Sequence, residues 1–220
     1  MSLYSRRFFC IFAGIFLLAS GASANEQPYR VDKSRSPDGR IELWIKPTNG
    51  EGEAAGVAQI REVKTGQTLS TFDWTGFGVQ LIAPDSPFAV LWRRDSRYFA
   101  IKFEETRGWT MGAIYGRGAK GQWVEVKMPS DEYTNAIKKM SGVSELYGKG
   151  GESPVEWARN GELVLEFVDR NLTYNHEDLE KEFLVTLKVA DWIRRPLKTA
   201  RIVSIKQRSK EERERELQAR

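Results

Sequence analysis

Few residues in this 220-residue chain could do chemistry, and their types narrow what that chemistry is. His176 is the single histidine, in Tyr174-Asn175-His176-Glu177-Asp178, so any triad or histidine-bearing metal site must use it. Asp169, Glu177, Asp178 and Glu180 could orient its imidazole, but the same composition makes a solvated loop between strands, which is the expectation. Asp169-x-Asn171-x-Thr173, with Glu180 at the twelfth place, has the spacing of a calcium loop. The sixth place is Tyr174 where that loop needs glycine, and no helix precedes it, so no metal site is expected. Gly116-x-Gly118-x-x-Gly121 matches the glycine pattern of a dinucleotide site, which works only when a helix starts there and aims its amides at phosphate. The segment Trp123–Met128 reads instead as a strand, which makes the glycines hairpin residues. With no Gly-x-Ser-x-Gly elbow and no phosphate loop either, no catalytic residue and no cofactor are expected. Whether two carboxylates form an acid–base pair is a matter of their separation in space, on which spacing along the chain is silent.

Aromatic residues are the remaining candidates. Trp74, Phe77, Trp109, Tyr115 and Trp123 lie in or beside segments that read as strands and loops. An aromatic face can hold a sugar ring or a peptide, whereas a tryptophan alternating within a strand is as a rule core. Trp74, Phe77, Trp109 and Tyr115 are the candidate ligand contacts, and Trp74 and Phe77, in a glycine-punctuated segment, are the least core-like. From Trp192 to Lys210 the chain carries Arg194, Arg195, Lys198, Arg201, Lys206, Arg208 and Lys210 and no acid. Such a stretch can touch an anionic surface weakly through screened attraction. Its plainer reading is a strand, Ala200–Ile205, followed by a solvated tail whose removal from residue 207 onward leaves the fold intact.

The compartment follows from the first residues. Arg6 and Arg7 precede an apolar run from Phe8 to Ala19, and Ala22-Ser23-Ala24 supplies a small-residue cleavage site. These predict a signal peptide over residues 1–24, cleaved after Ala24, and an exported protein, periplasmic or extracellular. The run spans roughly 18 Å as helix, short for a ~30 Å hydrocarbon core, so no transmembrane helix is expected. Ser5-Arg6-Arg7-Phe8-Phe9 also resembles a twin-arginine export signal, which leaves the route open. The only cysteine, Cys10, falls within that signal, so the mature chain can form no disulfide or thiolate site. Without Arg6 and Arg7 the 34 basic residues become 32 against 30 acidic, a net +2, which does not point to nucleic acid.

The elements that must position these residues come as a repeat. Ser36-Pro37-Asp38-Gly39-Arg40-Ile41-Glu42-Leu43-Trp44-Ile45 is a turn followed by alternating apolar residues. Trp92-Arg93-Arg94-Asp95-Ser96-Arg97-Tyr98-Phe99-Ala100-Ile101 and Trp157-Ala158-Arg159-Asn160-Gly161-Glu162-Leu163-Val164-Leu165 repeat it, each with a tryptophan three residues before the turn acid or amide. Asp-Gly and Asn-Gly supply positive φ, and alternation then gives a half-buried strand. Downstream, Gly66-Gln67 and Gly121-Gln122 lie 28 and 26 residues after Asp38 and Asp95, so each copy reads as an antiparallel meander of three to four strands. The third copy is expected to be degenerate. One helix is expected over residues 130–142, capped by Ser130, with Tyr133, Ile137 and Met140 on the face that meets the sheets.

Those three windows resemble the blade-opening strands of TolB-type and WD40-like β-propeller repeats, whose pattern is Trp-Ser-Pro-Asp-Gly-Arg followed by alternating apolar residues. The first copy lacks the tryptophan, and Trp92 is followed by Arg-Arg where the family has Ser-Pro. The resemblance implies a partner-binding scaffold and transfers no site residue, because that family shares no active site. Three copies fall short of the about four blades a closed ring needs. The chain is therefore expected to be an all-β domain of meander repeats over residues 25–205, arranged as a partial or small propeller, with one short helix and a charged tail over 206–220. The expected role is that of a non-catalytic binding module with a protein or glycan partner in the cell envelope. The alternative is an envelope hydrolase that uses carboxylates on glycans or peptides.

Overall fold

The structure is a computed structural model that describes residues 27–48, 55–73, 89–104, 110–118, 120–146, 149–170, 180–189, 199–209, 211–212 and 215. The expected signal peptide lies outside them. Among the described residues, twelve strands and one helix run in the order four strands, four strands, helix, four strands. The first meander holds β1 (Tyr29–Arg30), β2 (Ile41–Thr48), β3 (Ala55–Glu62) and β4 (Thr68–Asp73), hydrogen-bonded in that order. The second holds β5 (Ala89–Trp92), β6 (Tyr98–Glu104), β7 (Thr110–Arg117) and β8 (Trp123–Val126). Helix α1 (Ser130–Ser141) follows, then β9 (Lys149–Trp157), β10 (Leu163–Arg170), β11 (Glu180–Lys188) and β12 (Arg201–Gln207). The protein is all-β with one short helix: three antiparallel four-stranded meanders that do not close into a barrel. The third copy, expected to be degenerate, has all four strands. A parallel bridge, Thr110 to Gly151, joins β7 to β9 and merges the second and third meanders into one eight-stranded sheet.

The middle meander is apolar on both faces, and that explains its sequence. Successive side chains of a strand point to opposite faces. In β6, Phe99 and Ile101 join Ile41, Leu43, Ile45, Ala58 and Ile60 of the first meander in one core cluster. Their neighbours Tyr98 and Ala100 join a second cluster with Leu163, Leu165, Phe183 and Val185 of the third meander and with Tyr133 and Ile137 of α1. A strand buried on both faces reads as a continuous apolar run, as Tyr98–Ile101 does, whereas the outer meanders alternate. Full burial of each large side chain contributes roughly 1.5–3 kcal/mol, so the two clusters together hold the stack without disulfides.

The three chain reversals are equivalent in detail. Gly39 N–H donates to Ser36 O, Ser96 N–H to Arg93 O and Gly161 N–H to Ala158 O, each at 2.9 Å. In each turn a side-chain oxygen of Asp38, Asp95 or Asn160 accepts the N–H two residues on, at 3.1–3.2 Å. Only the residue after the acid or amide has positive φ: +70° at Gly39, +57° at Ser96 and +81° at Gly161. The third turn closes one residue sooner, with Ala158 N–H to Glu162 O where the others reach Ile41 and Tyr98.

Helix α1 departs from expectation at two points. Ser130 is its first residue and does not cap it; the preceding Pro129 stands at the cap, and the Ser130 hydroxyl accepts from Tyr133 OH at 3.0 Å. Proline there leaves one N–H fewer to satisfy. Met140 does not join Tyr133 and Ile137 against the sheets but is 48% exposed, because it sits in the last turn, where the helix leaves the core. Gly142 ends the helix in the left-handed conformation.

Candidate functional site

Of the four aromatic candidates, Trp74, Phe77 and Trp109 lie outside the described residues, as does His176. Tyr115 is described and sits in the core, 1% exposed, stacked on Phe99 with ring centroids 5.0 Å apart and tilted against Phe72 at 4.4 Å. It is a packing residue in a strand buried on both faces, and it leaves no face for a ligand. Trp123 packs edge-on against Trp92 at 5.6 Å in the same cluster. Gly116–Gly121 forms the β7–β8 hairpin: Gly118 N–H meets Gln122 O at 2.7 Å, and β8 follows where a nucleotide site needs a helix. Asp169 is buried, and Asn171 and Thr173 of the calcium-like spacing lie outside the described residues. Among the described residues, no three His, Cys, Asp or Glu side chains come together where a metal ion could sit.

What the fold does assemble is an edge built from the repeated turns. The β3–β4 and β7–β8 turns share it, since Val63 N–H donates to Arg40 O and Arg117 N–H to Arg97 O, both at 2.8 Å. Segments 32–40, 62–67, 93–97, 117–122 and 158–162 bring ten basic residues against five acidic to this end, although residues 25–220 as a whole are nearly neutral. Between the second and third turns a cleft of about 260 Å³ is lined by Arg93, Arg94, Asp95, Trp157, Arg159 and Asn160, among others.

Each wall of the cleft is fixed by identifiable contacts. Trp157 is anchored by its indole N–H on Leu91 O at 2.9 Å and packs against Tyr98 at 6.2 Å. The Arg93 guanidinium lies 4.1 Å from the Tyr98 ring centroid and is gripped by both oxygens of Asp95. Partial burial pushes the Asp95 carboxyl up, but hydrogen bonds from the Arg93 side chain and the Arg97 backbone, with the charges of both arginines, outweigh it and hold the group below its ordinary value. Arg93 is therefore a structural clasp. Arg94 and Arg159, at the turn tips, are exposed.

One carboxyl stands apart. Glu152 of β9 is placed by the register on the face of β9–β10 that carries Phe167, turned toward the second meander. Burial pushes it up to about 7, only partly offset by a hydrogen bond from Gly112 N–H. The gap there is narrow, since a Cβ on Gly112 would lie 3.3 Å from Pro154 Cδ. A carboxyl tuned near neutral pH can exchange protons. Nothing in the sequence marks it, because the shift comes from the meeting of β7 and β9. No protein-family model matches the chain, and no curated protein is significantly similar to it.

Proposed function

We propose that this protein is an exported, non-catalytic binding module of the cell envelope, and that its contact surface is the turn edge of the second and third meanders. The observation that carries this reading is the cleft between the Arg93–Asp95 and Trp157–Gly161 turns, with a tryptophan on one wall and arginines at its rim. Its architecture favours recognition over chemistry, because the turns are hydrogen-bonded to one another and to the strands, and a rigid scaffold lowers the ordering cost of binding. The basic segment at the N-terminus and the resemblance to propeller repeats support export and partner binding. Hydroxyl-radical footprinting of the mature protein, with and without a solubilised envelope fraction, tests the reading. Protection of Trp157 and the two turns is expected; protection confined to other surfaces would overturn it.

Glu152 favours a second reading, the carboxylate-dependent hydrolase, because it is a carboxyl poised near neutral pH. A screen against model glycosides and peptides decides between the two. Turnover that disappears in Glu152→Gln would make the protein an enzyme.

A further inference from the structure

The chemistry of the partner can be read from the turn edge, an inference that rests on the binding-module reading above. Arg94 and Arg159 occupy the same position of successive repeats, one residue before Asp95 and Asn160. The first repeat has Pro37 there, so the pair belongs to the two turns that flank the cleft. Both arginines are exposed, and no hydrogen bond or ion pair engages either side chain among the described residues.

The neighbouring groups explain why they are left over. In the second repeat the acid of the turn is consumed by Arg93, which takes both oxygens of Asp95. In the third repeat Ala158 replaces that arginine and Asn160 replaces that acid, so the clasp is missing, and Glu162, the carboxylate of that turn, makes no ion pair with Arg159. Ala158 lines the cleft beside Arg159.

We infer that Arg94 and Arg159 are a paired anchor for an extended acidic peptide segment of a partner protein, each guanidinium taking one carboxylate while the chain between them crosses the cleft beside Trp157. Both arginines line the same cleft of about 260 Å³, which puts the two turn tips within the span of one short segment. Same-face residues of an extended chain recur every ~6.7 Å, so acids two or four positions apart fall within reach of the two flexible side chains. A guanidinium grips a carboxylate through two parallel N–H donors, which orients the ligand as well as holding it. A peptide fits better than a uniformly charged polymer, because Asp38, Asp95 and Glu162 are interspersed along the same edge and would repel continuous negative charge.

The test uses the mature chain and a labelled ten-residue peptide of alternating aspartate and serine, read by fluorescence anisotropy at low and physiological salt. Arg94→Gln and Arg159→Gln should each weaken binding at least fivefold, and the double variant should abolish it, with thermal melting unchanged. Lys120→Gln, which removes a charge at the same end away from the cleft, should change affinity less than twofold. Equal loss in all three single variants would reduce the effect to net charge and overturn the pairing. Equal binding of a serine–asparagine peptide, or tight binding of polygalacturonate with none of the peptide, would overturn the acidic-peptide assignment. If the peptide fails while the envelope fraction still protects Trp157, the surface stands and only the ligand chemistry falls; loss of both removes the binding reading itself.

Discussion

The indole N–H of Trp157 donates to the main-chain oxygen of Leu91 at 2.9 Å, and 65 residues earlier Trp92 makes the same bond to Ser34 at 2.8 Å. In both, a tryptophan three residues before the turn reaches the residue four before the turn in the preceding repeat, so each repeat is stapled to the one before it. In the first repeat Arg35 stands where the tryptophan would be, bonded to Glu42 at 3.4 Å. Trp157→Phe keeps most of the ring and loses the bond, which costs about 1 kcal/mol. A fall in melting temperature of roughly 2–4 °C is expected for a chain of this size, and Trp157→Ala should cost about 3–5 kcal/mol. Chemical denaturation of both variants checks the order.

Ser96 occupies the left-handed position that glycine fills in the other two turns, and it is retained there because its hydroxyl accepts Asp38 N–H of the preceding repeat at 3.1 Å. Ser96→Ala keeps the strained backbone and leaves that N–H without its partner, for a loss of about 1–2 kcal/mol. Ser96→Gly loses the same bond but relieves the strain, so it should be the milder change. Thermal melts that rank glycine below alanine would refute this account of the turn.

The reversals at Asp38, Asp95 and Asn160 were legible because turn chemistry is local: a side-chain acceptor and a residue tolerant of positive φ sit side by side in the chain. Strand faces were legible for the outer meanders, where one face is polar. For the middle meander, burial on both sides removes the alternation, and Tyr115, read as a possible ligand contact, proves to be core for that reason. The cleft was not legible at all. It lies between two turns more than sixty residues apart in the chain, which the sequence does not show to stand next to each other. What alternation did not show are the contacts on the polar outer face of the first meander: Glu42 accepts from Trp44 Nε1 at 2.8 Å, and Arg61 lies 4.5 Å from the Trp44 ring centroid. Such a face suits the end of a stack, as terminal repeats elsewhere are polar on their outer side.

Glu152 makes stability depend on pH in the opposite sense to most carboxylates. The group titrates near 4.5 in the unfolded chain and about 7 in the fold, so folding favours its neutral form. The penalty for ionising it is absent below pH 4.5, grows between 4.5 and 7, and is complete above 7. Its full size is about 3 kcal/mol. Glu152→Gln keeps an acceptor for Gly112 N–H and removes the charge. The variant should melt several degrees above the parent at pH 8 and at the same temperature at pH 4. Equal melting of the two proteins at pH 8 would show that the carboxyl is solvated.

Arg208, within the segment expected to be a solvated tail, is anchored on the third meander. Strand β12 continues to Gln207, and the Arg208 side chain, 7% exposed, reaches Glu166 of β10 at 2.7 Å and Glu182 of β11 at 3.3 Å. Its backbone N–H also donates to Glu182 O at 2.9 Å. Beyond it, Ser209 and Glu212 exchange side-chain to backbone bonds at 3.2 and 3.1 Å, a capping box that starts a helical turn at the surface. Removing Arg208 leaves two acids as diagonal neighbours on one face of adjacent strands, and loss of one partner from a buried ion pair costs about 3–5 kcal/mol. The outer exposure of Glu166 places Arg208→Ala at the lower end of that range. A chain ending at Ser209 loses the exposed Lys206–Glu212 pair and the cap, which together contribute about 1 kcal/mol. A chain ending at Lys206 loses Arg208 as well. Melting curves of the two truncations should therefore separate clearly, with the longer one close to the parent; coincident curves would mean that Arg208 carries no net stabilisation and that the tail is free from residue 207.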